Sequence, residues 1–225
     1  MCYVAGREYN LLKVLLMACG LWLKAHGSRL KNMTTPLIID AHLDLAYNAI
    51  NFKRDYLRGV QTTRKLEEGE IPEKVNGQCT VGFPDMMRGR VGLAFGTIFV
   101  EPAKSSMAAS EKGYTITYRD AAEAHVQGMT QLDYYYRLAD RDQRIRLVTT
   151  RKDLEDVVAQ WQPHLGTAQP RRQIGIVPLM EGADPIREPR ELERWVERGV
   201  RIVGLAWGET RYSGGTRAPG GLSKI

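Results

Sequence analysis

The sequence predicts an α/β fold in which parallel strands alternate with crossover helices. From Leu37 onward, short apolar strands alternate with segments of helical spacing, and this pattern is typical of a parallel sheet covered by helices. Two of the predicted strands, 37–41 and 174–180, lead directly into acidic or imidazole side chains. With 225 residues, of which 43% are hydrophobic, the chain can form one domain with a substantial core.

The first half of the body contains two predicted strands and one long helix. The apolar run at 37–41 predicts the first strand, and the polar, glycine-containing stretch after it indicates a loop with a short helix. The segment 91–100 is apolar throughout, which favours a strand buried on both faces. Residues 118–140 have helical periodicity, and the predicted buried face consists of Ala122, Val126, Met129, Leu132, Tyr136 and Ala139.

The second half continues the alternation. A short strand is predicted at 144–148, and the next helix begins at Thr150 with a capping box in which Asp153 replaces the usual glutamate. Its predicted buried stripe consists of Leu154, Val157, Val158 and Trp161. Pro189 suits the first turn of the following helix and Gly199 its C-terminal cap, and residues 200–206 are the next predicted strand.

Residues 1–32 differ from the rest of the sequence. Their apolar run, 14–23, is shorter than the roughly 20 residues that a membrane span needs. We interpret residues 1–32 as an N-terminal extension that is not part of the fold, with Met33 as a natural start. The alternative is a signal-like or anchoring segment. The expected location is cytoplasmic, and the alternative is export or membrane anchoring through residues 1–32.

The charge distribution argues against nucleic-acid binding. Residues 1–32 hold five basic side chains and one acid, so the rest carries 27 basic and 25 acidic residues. These charges are interleaved and form no basic stripe with aromatic residues between them. Cys2, Cys19 and Cys79 have no metal-like spacing, which fits a reducing compartment without structural disulfides.

The strand ends carry the residues on which a function can be argued. Asp40, His42 and Asp44 alternate, so they share one face of the first strand. Glu181, followed by Gly182, ends a second strand. If both strands are parallel neighbours in one barrel, His42, Asp44 and Glu181 converge where such barrels build active sites, and they suit a hydrolytic metal. The alternatives are a solvated histidine and an acid paired with an arginine.

Five segments, in order along the chain, resemble the membrane dipeptidase (renal dipeptidase, peptidase M19) family. The similar segments are Asp40-Ala-His42-Leu-Asp44-Leu, Val91-Gly-Leu-Ala-Phe-Gly, Met180-Glu-Gly, Gly199-Val-Arg-Ile-Val-Gly-Leu and Gly221-Leu-Ser. They resemble the family's D-x-H-x-D-L opening, its second strand, its E-G signature, its G-[VM]-R-x-[LV]-T-L segment and its G-L-[ST].

The resemblance implies a (β/α)8 TIM-type barrel of the metal-dependent hydrolase kind with two zinc ions. His42 and Asp44 would bind the first zinc, and Glu181 would bridge both ions and serve as the catalytic carboxylate. The implied activity is that of a metallodipeptidase, which hydrolyses the peptide bond of a dipeptide or a similar small amide with a metal-activated water. A homodimer is left open.

The chain departs from the family pattern in two respects. The family's later histidines and proton-handling aspartate would lie beyond Ile225, so residues 33–225 are expected to be a partial barrel, truncated after about five strands, that supports one zinc and has little activity alone. His125 and His164 are not expected to replace those histidines. Trp207 stands where the family often has a substrate-contacting histidine, and Glu209, Arg211 and Tyr212 are candidate substrate contacts beside it.

Two other functions remain open. One is a different metal-dependent amidohydrolase that acts on a lactam or a lactone, because barrel and metal would be shared. The other is a non-catalytic barrel fragment that binds one metal ion or a partner.

Overall fold

The structure, a computed structural model, describes residues 2–3, 36–104, 115–162, 171–215 and 222–223. His164 lies outside these residues. The main sheet consists of β1 (Cys2–Tyr3), β2 (Ile38–Leu43), β3 (Val91–Phe99), β6 (Ile145–Leu147), β7 (Ile174–Glu181) and β8 (Ile202–Gly204). The short strands β4 (Glu101–Pro102) and β5 (Thr117–Tyr118) form a separate pair. Among these named strands, all pairings except that of β1 with β8 are parallel, as the alternation predicted.

Helices follow the strands along the chain. They are α1 (Leu45–Phe52), α2 (Val60–Glu67), α3 (Ile71–Asn76), α4 (Phe83–Arg88), α5 (Ala121–Arg141), α6 (Arg151–Gln160) and α7 (Leu192–Glu197), with a 3₁₀ turn at Pro189–Glu191. The stretch between the first two parallel strands was predicted as loop and a short helix. It contains four helices, α1 to α4, of which the first begins directly behind the strand end.

The order of the strands determines which chain ends meet. β3 lies between β2 and β7, so β2 and β7 flank the same strand and are not direct neighbours. The far edge of β7 pairs with β6 near its start and with β8 near its end. The strands β2, β3, β6, β7 and β8 are parallel to one another. The C-terminal ends of β2, β3, β7 and β8 therefore lie at the same end of the sheet.

Two glycines of β3 allow the helices to approach the sheet closely. A Cβ at Gly92 would lie 2.3 Å from the ring of Trp161, and one at Gly96 would lie 2.8 Å from the ring of Tyr135. Both rings are buried, Trp161 at the end of α6 and Tyr135 in α5. Any larger residue at either position would push a helix away from the sheet.

Helix α5 forms as predicted, but the predicted buried face was partly wrong. Val126 is 63% exposed and Tyr136 is 37% exposed. The buried face instead consists of Ala124, His125, Gly128, Gln131, Leu132, Tyr135 and Leu138. Gln131 bonds the backbone N–H and carbonyl of Phe99, and His125 Nδ1 lies 3.0 Å from the Pro185 carbonyl oxygen. Backbone partners therefore allow these polar residues to be buried on a face that the apolar periodicity did not include.

The first residues of the chain contact the sheet only through β1 among the described residues. The backbone of Cys2–Tyr3 pairs antiparallel with Val203 and Gly204 of β8. The proposed boundary at residue 33 stays a prediction. Of the helices formed by the described residues, none is both long and apolar enough to cross a membrane.

Candidate metal centre

The end of β2 presents two of the predicted ligands in a short turn. The strand ends at Leu43 and α1 begins at Leu45, so Asp44 occupies the N-cap position between them. The pairing register with β3 shifts between Asp40 and Leu43, which bends the strand end. Asp40 Oδ1 accepts a hydrogen bond of 3.0 Å from the backbone N–H of His42. Asp40 therefore supports the strand end and is not among the clustered groups.

The third predicted ligand, Glu181, is the last residue of β7. It pairs in register with Phe99 of β3 on one side and with Gly204 of β8 on the other. Gly182 follows with φ of +85°, a conformation that disfavours other residues. The Gly182 N–H donates to the Gly204 carbonyl at 3.0 Å, which fixes the turn behind the carboxylate.

The three side chains meet in space. His42, Asp44 and Glu181 each offer one ligand atom, and these atoms all lie within 4.8 Å of one another. His42 Nε2 and Glu181 Oε2 are 2.8 Å apart. The His42 side chain is 46% exposed and that of Glu181 is 18% exposed, so the cluster can be reached from solvent. An imidazole nitrogen with two carboxylates is a donor set that zinc accepts.

The electrostatics of the cluster favour a cation. Burial raises the pKa of the Glu181 carboxyl, His42 offsets part of that rise, and the nearby Asp44 carboxylate raises it further. A carboxylate whose ionisation is hindered by burial and by a neighbouring negative charge is stabilised when a positive charge lies beside it.

Sequence reasoning missed the side chain that holds Asp44. The hydroxyl of Thr97, a fully buried residue of β3, donates a short hydrogen bond to Asp44 Oδ1 and also lies 3.3 Å from the Leu43 carbonyl oxygen. The only indication in the sequence was a single hydroxyl within the apolar strand VGLAFGTIF. Nothing in the sequence linked that hydroxyl to Asp44.

Two of the predicted substrate contacts, Trp207 and Glu209, are exposed. The Trp207 ring packs edge-on against Phe99, with ring centroids 6.2 Å apart, and Phe99 is the residue in register with Glu181. Trp207 is 46% exposed, so part of this residue is accessible to solvent. Glu209 is also exposed. A substrate contact by either residue stays a prediction.

The other two predicted contacts are engaged with a loop. Arg211 donates to Asp184 Oδ1 from both its backbone N–H, at 3.0 Å, and its Nε, at 3.2 Å, and further to the carbonyl oxygens of Asp184, Ile186 and Arg187. The Tyr212 hydroxyl donates to the Ile186 carbonyl. Asp184 also accepts from the buried Tyr118 hydroxyl, so this network holds the loop that follows Glu181. Substrate contact by Arg211 or Tyr212 stays a prediction as well.

The solved structures that match this chain include a probable dipeptidase, a dipeptidase and a further metallopeptidase. The probable dipeptidase PvdM from Pseudomonas aeruginosa is 16% identical with a TM-score of 0.50, and the match covers 91% of this chain and 40% of that one. The metallopeptidase dipeptidase AC, of family M19, is 16% identical with a TM-score of 0.55, over 84% and 51% of the two chains. A metallopeptidase from Rhodobacter sphaeroides, in complex with a phosphinate mimic of the dipeptide L-Ala-D-Ala, is 14% identical with a TM-score of 0.52, over 79% and 48%.

These likenesses show the fold, and the chain spans about half the length, or less, of the solved chains it matches. The parallel sheet with its helices has the TIM-type α/β architecture that the sequence predicted. No curated protein matches the chain by sequence. The sequence profile described as membrane dipeptidase (peptidase family M19) matches residues 29–221, which is most of the chain. The protein therefore belongs to the membrane dipeptidase family, peptidase family M19.

Proposed function

We propose that this chain carries part of the active site of a zinc-dependent dipeptidase, which hydrolyses the peptide bond of a dipeptide. The observation that carries the proposal is the cluster of His42, Asp44 and Glu181, whose ligand atoms lie within 4.8 Å of one another at the ends of two parallel strands. Family membership supports the reaction class, and the dipeptide mimic bound to the Rhodobacter sphaeroides relative supports the substrate class.

The residues of the cluster fit zinc by their chemistry. A neutral imidazole offers Nε2 as a lone-pair donor when its proton is on Nδ1, and carboxylate oxygens supply the remaining ligands. In the protein as described, His42 Nε2 faces Glu181 Oε2 at 2.8 Å, so a cation would replace the proton that these two atoms share. When bound, zinc would lower the pKa of a water molecule and polarise the carbonyl of the scissile amide.

Each residue has a separate part in this proposal. His42 and Asp44 hold the metal from the end of β2, and Glu181 holds it from the end of β7. The Glu181 carboxylate is more buried than the His42 ring with which it pairs, so it is less exposed to bulk water. Trp207 and Phe99 form an aromatic wall beside Glu181 that would limit the access of water around a bound substrate.

The test combines zinc content with hydrolysis of a panel of L-L and L-D dipeptides by the purified chain. The partial chain should hydrolyse dipeptides slowly, and Glu181→Gln should reduce bound zinc and lower this residual kcat/KM on the order of 10²-fold or more, because a positioned charged group is lost from the reacting centre. Glu155→Gln is the matched control, since Glu155 is exposed on α6 and is not one of the clustered groups. It should leave both quantities unchanged.

A lactam and a lactone in the same panel separate the other functions. Hydrolysis of either, without hydrolysis of dipeptides, would favour a different amidohydrolase. Zinc binding without any turnover would favour a chain that binds metal but is not catalytic by itself. A chain that binds no zinc would contradict the proposal.

A further inference from the structure

The orientation of Asp44 differs from what its position in the helix favours. Asp44 occupies the N-cap of α1, where aspartate commonly accepts hydrogen bonds from the first backbone N–H groups of the helix. Its side chain makes no capping bond, and its backbone angles are φ −78° and ψ 51°. Another contact must therefore hold the carboxylate away from the helix end.

That contact comes from Thr97 on the neighbouring strand. Thr97 is fully buried, and its hydroxyl lies against Asp44 Oδ1 and, at 3.3 Å, against the Leu43 carbonyl oxygen. Both neighbours are acceptors, and a hydroxyl carries one hydrogen. The shorter contact is to the carboxylate, so the hydrogen is donated to Asp44 Oδ1. This leaves the second oxygen of Asp44 for the cluster.

Tyr135 holds Thr97 and the start of α1 in one arrangement. Its hydroxyl donates to the Thr97 carbonyl oxygen at 2.7 Å and accepts from the Ala46 N–H at 3.3 Å. Tyr135 is fully buried, and it can reach β3 because Gly96 has no side chain. Tyr135 of α5 therefore connects two elements next to Asp44: β3, which carries Thr97, and the first turn of α1, which follows Asp44.

We infer that Thr97 is a positioning residue, which, held by Tyr135, fixes one oxygen of the Asp44 carboxylate so that the other faces the metal. This inference rests on the proposed function. Hydrogen bonds that orient a ligating carboxylate typically contribute about 10- to 100-fold to metal affinity. A hydroxyl that merely satisfied the core would contribute to folding stability and not to metal binding.

The test measures zinc affinity by competition with a chromophoric chelator on the full chain. Thr97→Val keeps the shape of the side chain but removes the hydroxyl, and it should weaken zinc binding by about 10- to 100-fold. Thr97→Ser keeps the hydroxyl and should bind zinc nearly as tightly as the wild type. Cobalt substitution supplies a second readout, because the visible spectrum of Co²⁺ should change in Thr97→Val and remain close to that of the wild type in Thr97→Ser.

Thermal melts in excess chelator show whether the variants fold. The comparison is then the increase in Tm that zinc causes in each variant, so a loss of stability without metal does not affect it. Tyr135→Phe, which removes both hydrogen bonds of the hydroxyl, should weaken zinc binding in the same direction.

Equal zinc affinity in wild type and Thr97→Val would overturn the inference and leave the proposed function standing. An equal loss of affinity in Thr97→Ser and Thr97→Val would also overturn it, because the hydroxyl would then not be responsible. A wild-type chain that binds neither zinc nor cobalt would overturn both the inference and the proposed function.

Discussion

The side chains of Arg54 and Glu67 form an ion pair that is almost completely buried among the helices between β2 and β3. Arg54 donates to both oxygens of Glu67, at 2.9 Å from Nε and 2.9 Å from a terminal nitrogen, and also to the Gly77 carbonyl at 2.7 Å. Burial alone would lower the pKa of the Arg54 guanidinium, but its hydrogen bonds to Glu67 raise it. Arg54 therefore keeps its charge although it is buried, and it depends on Glu67 as its counter-charge.

Glu67→Gln should lower the free energy of unfolding by about 3 kcal/mol, because it leaves a buried guanidinium without its counter-charge. Urea unfolding followed by circular dichroism measures the change. Glu68→Gln, at the exposed neighbouring position, is the control and should change stability little. A Glu67→Gln variant as stable as this control would show that the pair contributes nothing to stability.

At the scale of single elements, the start of α6 is an N-terminal cap that the sequence correctly predicted. The Asp153 N–H donates to the Thr150 hydroxyl at 3.1 Å, and the Thr150 N–H donates to Asp153 Oδ2 at 2.9 Å. The Arg146 guanidinium on β6 also donates to Asp153 at 2.7 Å, so the cap connects the helix to the sheet. Burial alone would raise the pKa of Asp153, but these hydrogen bonds lower it to about 2.

The lowered pKa gives a pH dependence of known sign. The folded state favours ionised Asp153, so its contribution is complete above the ordinary pKa of 3.8 and is lost as the pH falls towards about 2. Asp153→Asn should therefore cost about 1–2 kcal/mol at pH 7 and progressively less below pH 4. Urea midpoints between pH 7 and pH 2.5 test this, with the exposed Asp140→Asn as control. A difference from wild type that does not depend on pH would contradict the assignment.

Helix α5 shows why the local pattern of apolar residues was not sufficient to predict the buried face of a helix. Periodicity predicted the helix and placed Leu132 correctly, but it put Val126 and Tyr136 inside. The buried positions beside them are polar or small, such as Gln131 and Gly128, and they are buried because a backbone strand or a proline lies against them. A pattern of apolar residues cannot identify such positions, because their partners come from other elements.

At the scale of the whole molecule, the N-terminal segment has a limited connection to the sheet in the described part of the chain. Only the backbone of Cys2–Tyr3 pairs with β8, and the family profile begins at residue 29. A chain that begins at Met33 should melt within about 4 °C of the full chain, which corresponds to a loss of about 1 kcal/mol or less. Differential scanning calorimetry of both chains is the measurement, and a much larger decrease in Tm would show that residues 1–32 belong to the fold.

The sequence was sufficient to predict the clustered side chains of the candidate site, but not the residues that hold them in place. His42 and Asp44 could be found because they alternate at a strand end, and Glu181 because it ends a second apolar strand. Their two strands are parallel but are not direct neighbours, since β3 lies between them. The side chains nevertheless meet, because the register places Glu181 opposite Phe99 at the end of β3, where His42 can reach across.

The sequence by itself determined the alternation of strands and helices, the cap at Thr150 and the three side chains at the strand ends. These features depend on residues close together in the chain, where periodicity and hydrogen-bonding chemistry act directly. Only the tertiary structure decided the strand order, the buried face of α5 and the hydroxyl of Thr97 against Asp44. Each of these depends on a contact between residues far apart in the chain, and packing in three dimensions, not local preference, selects such contacts.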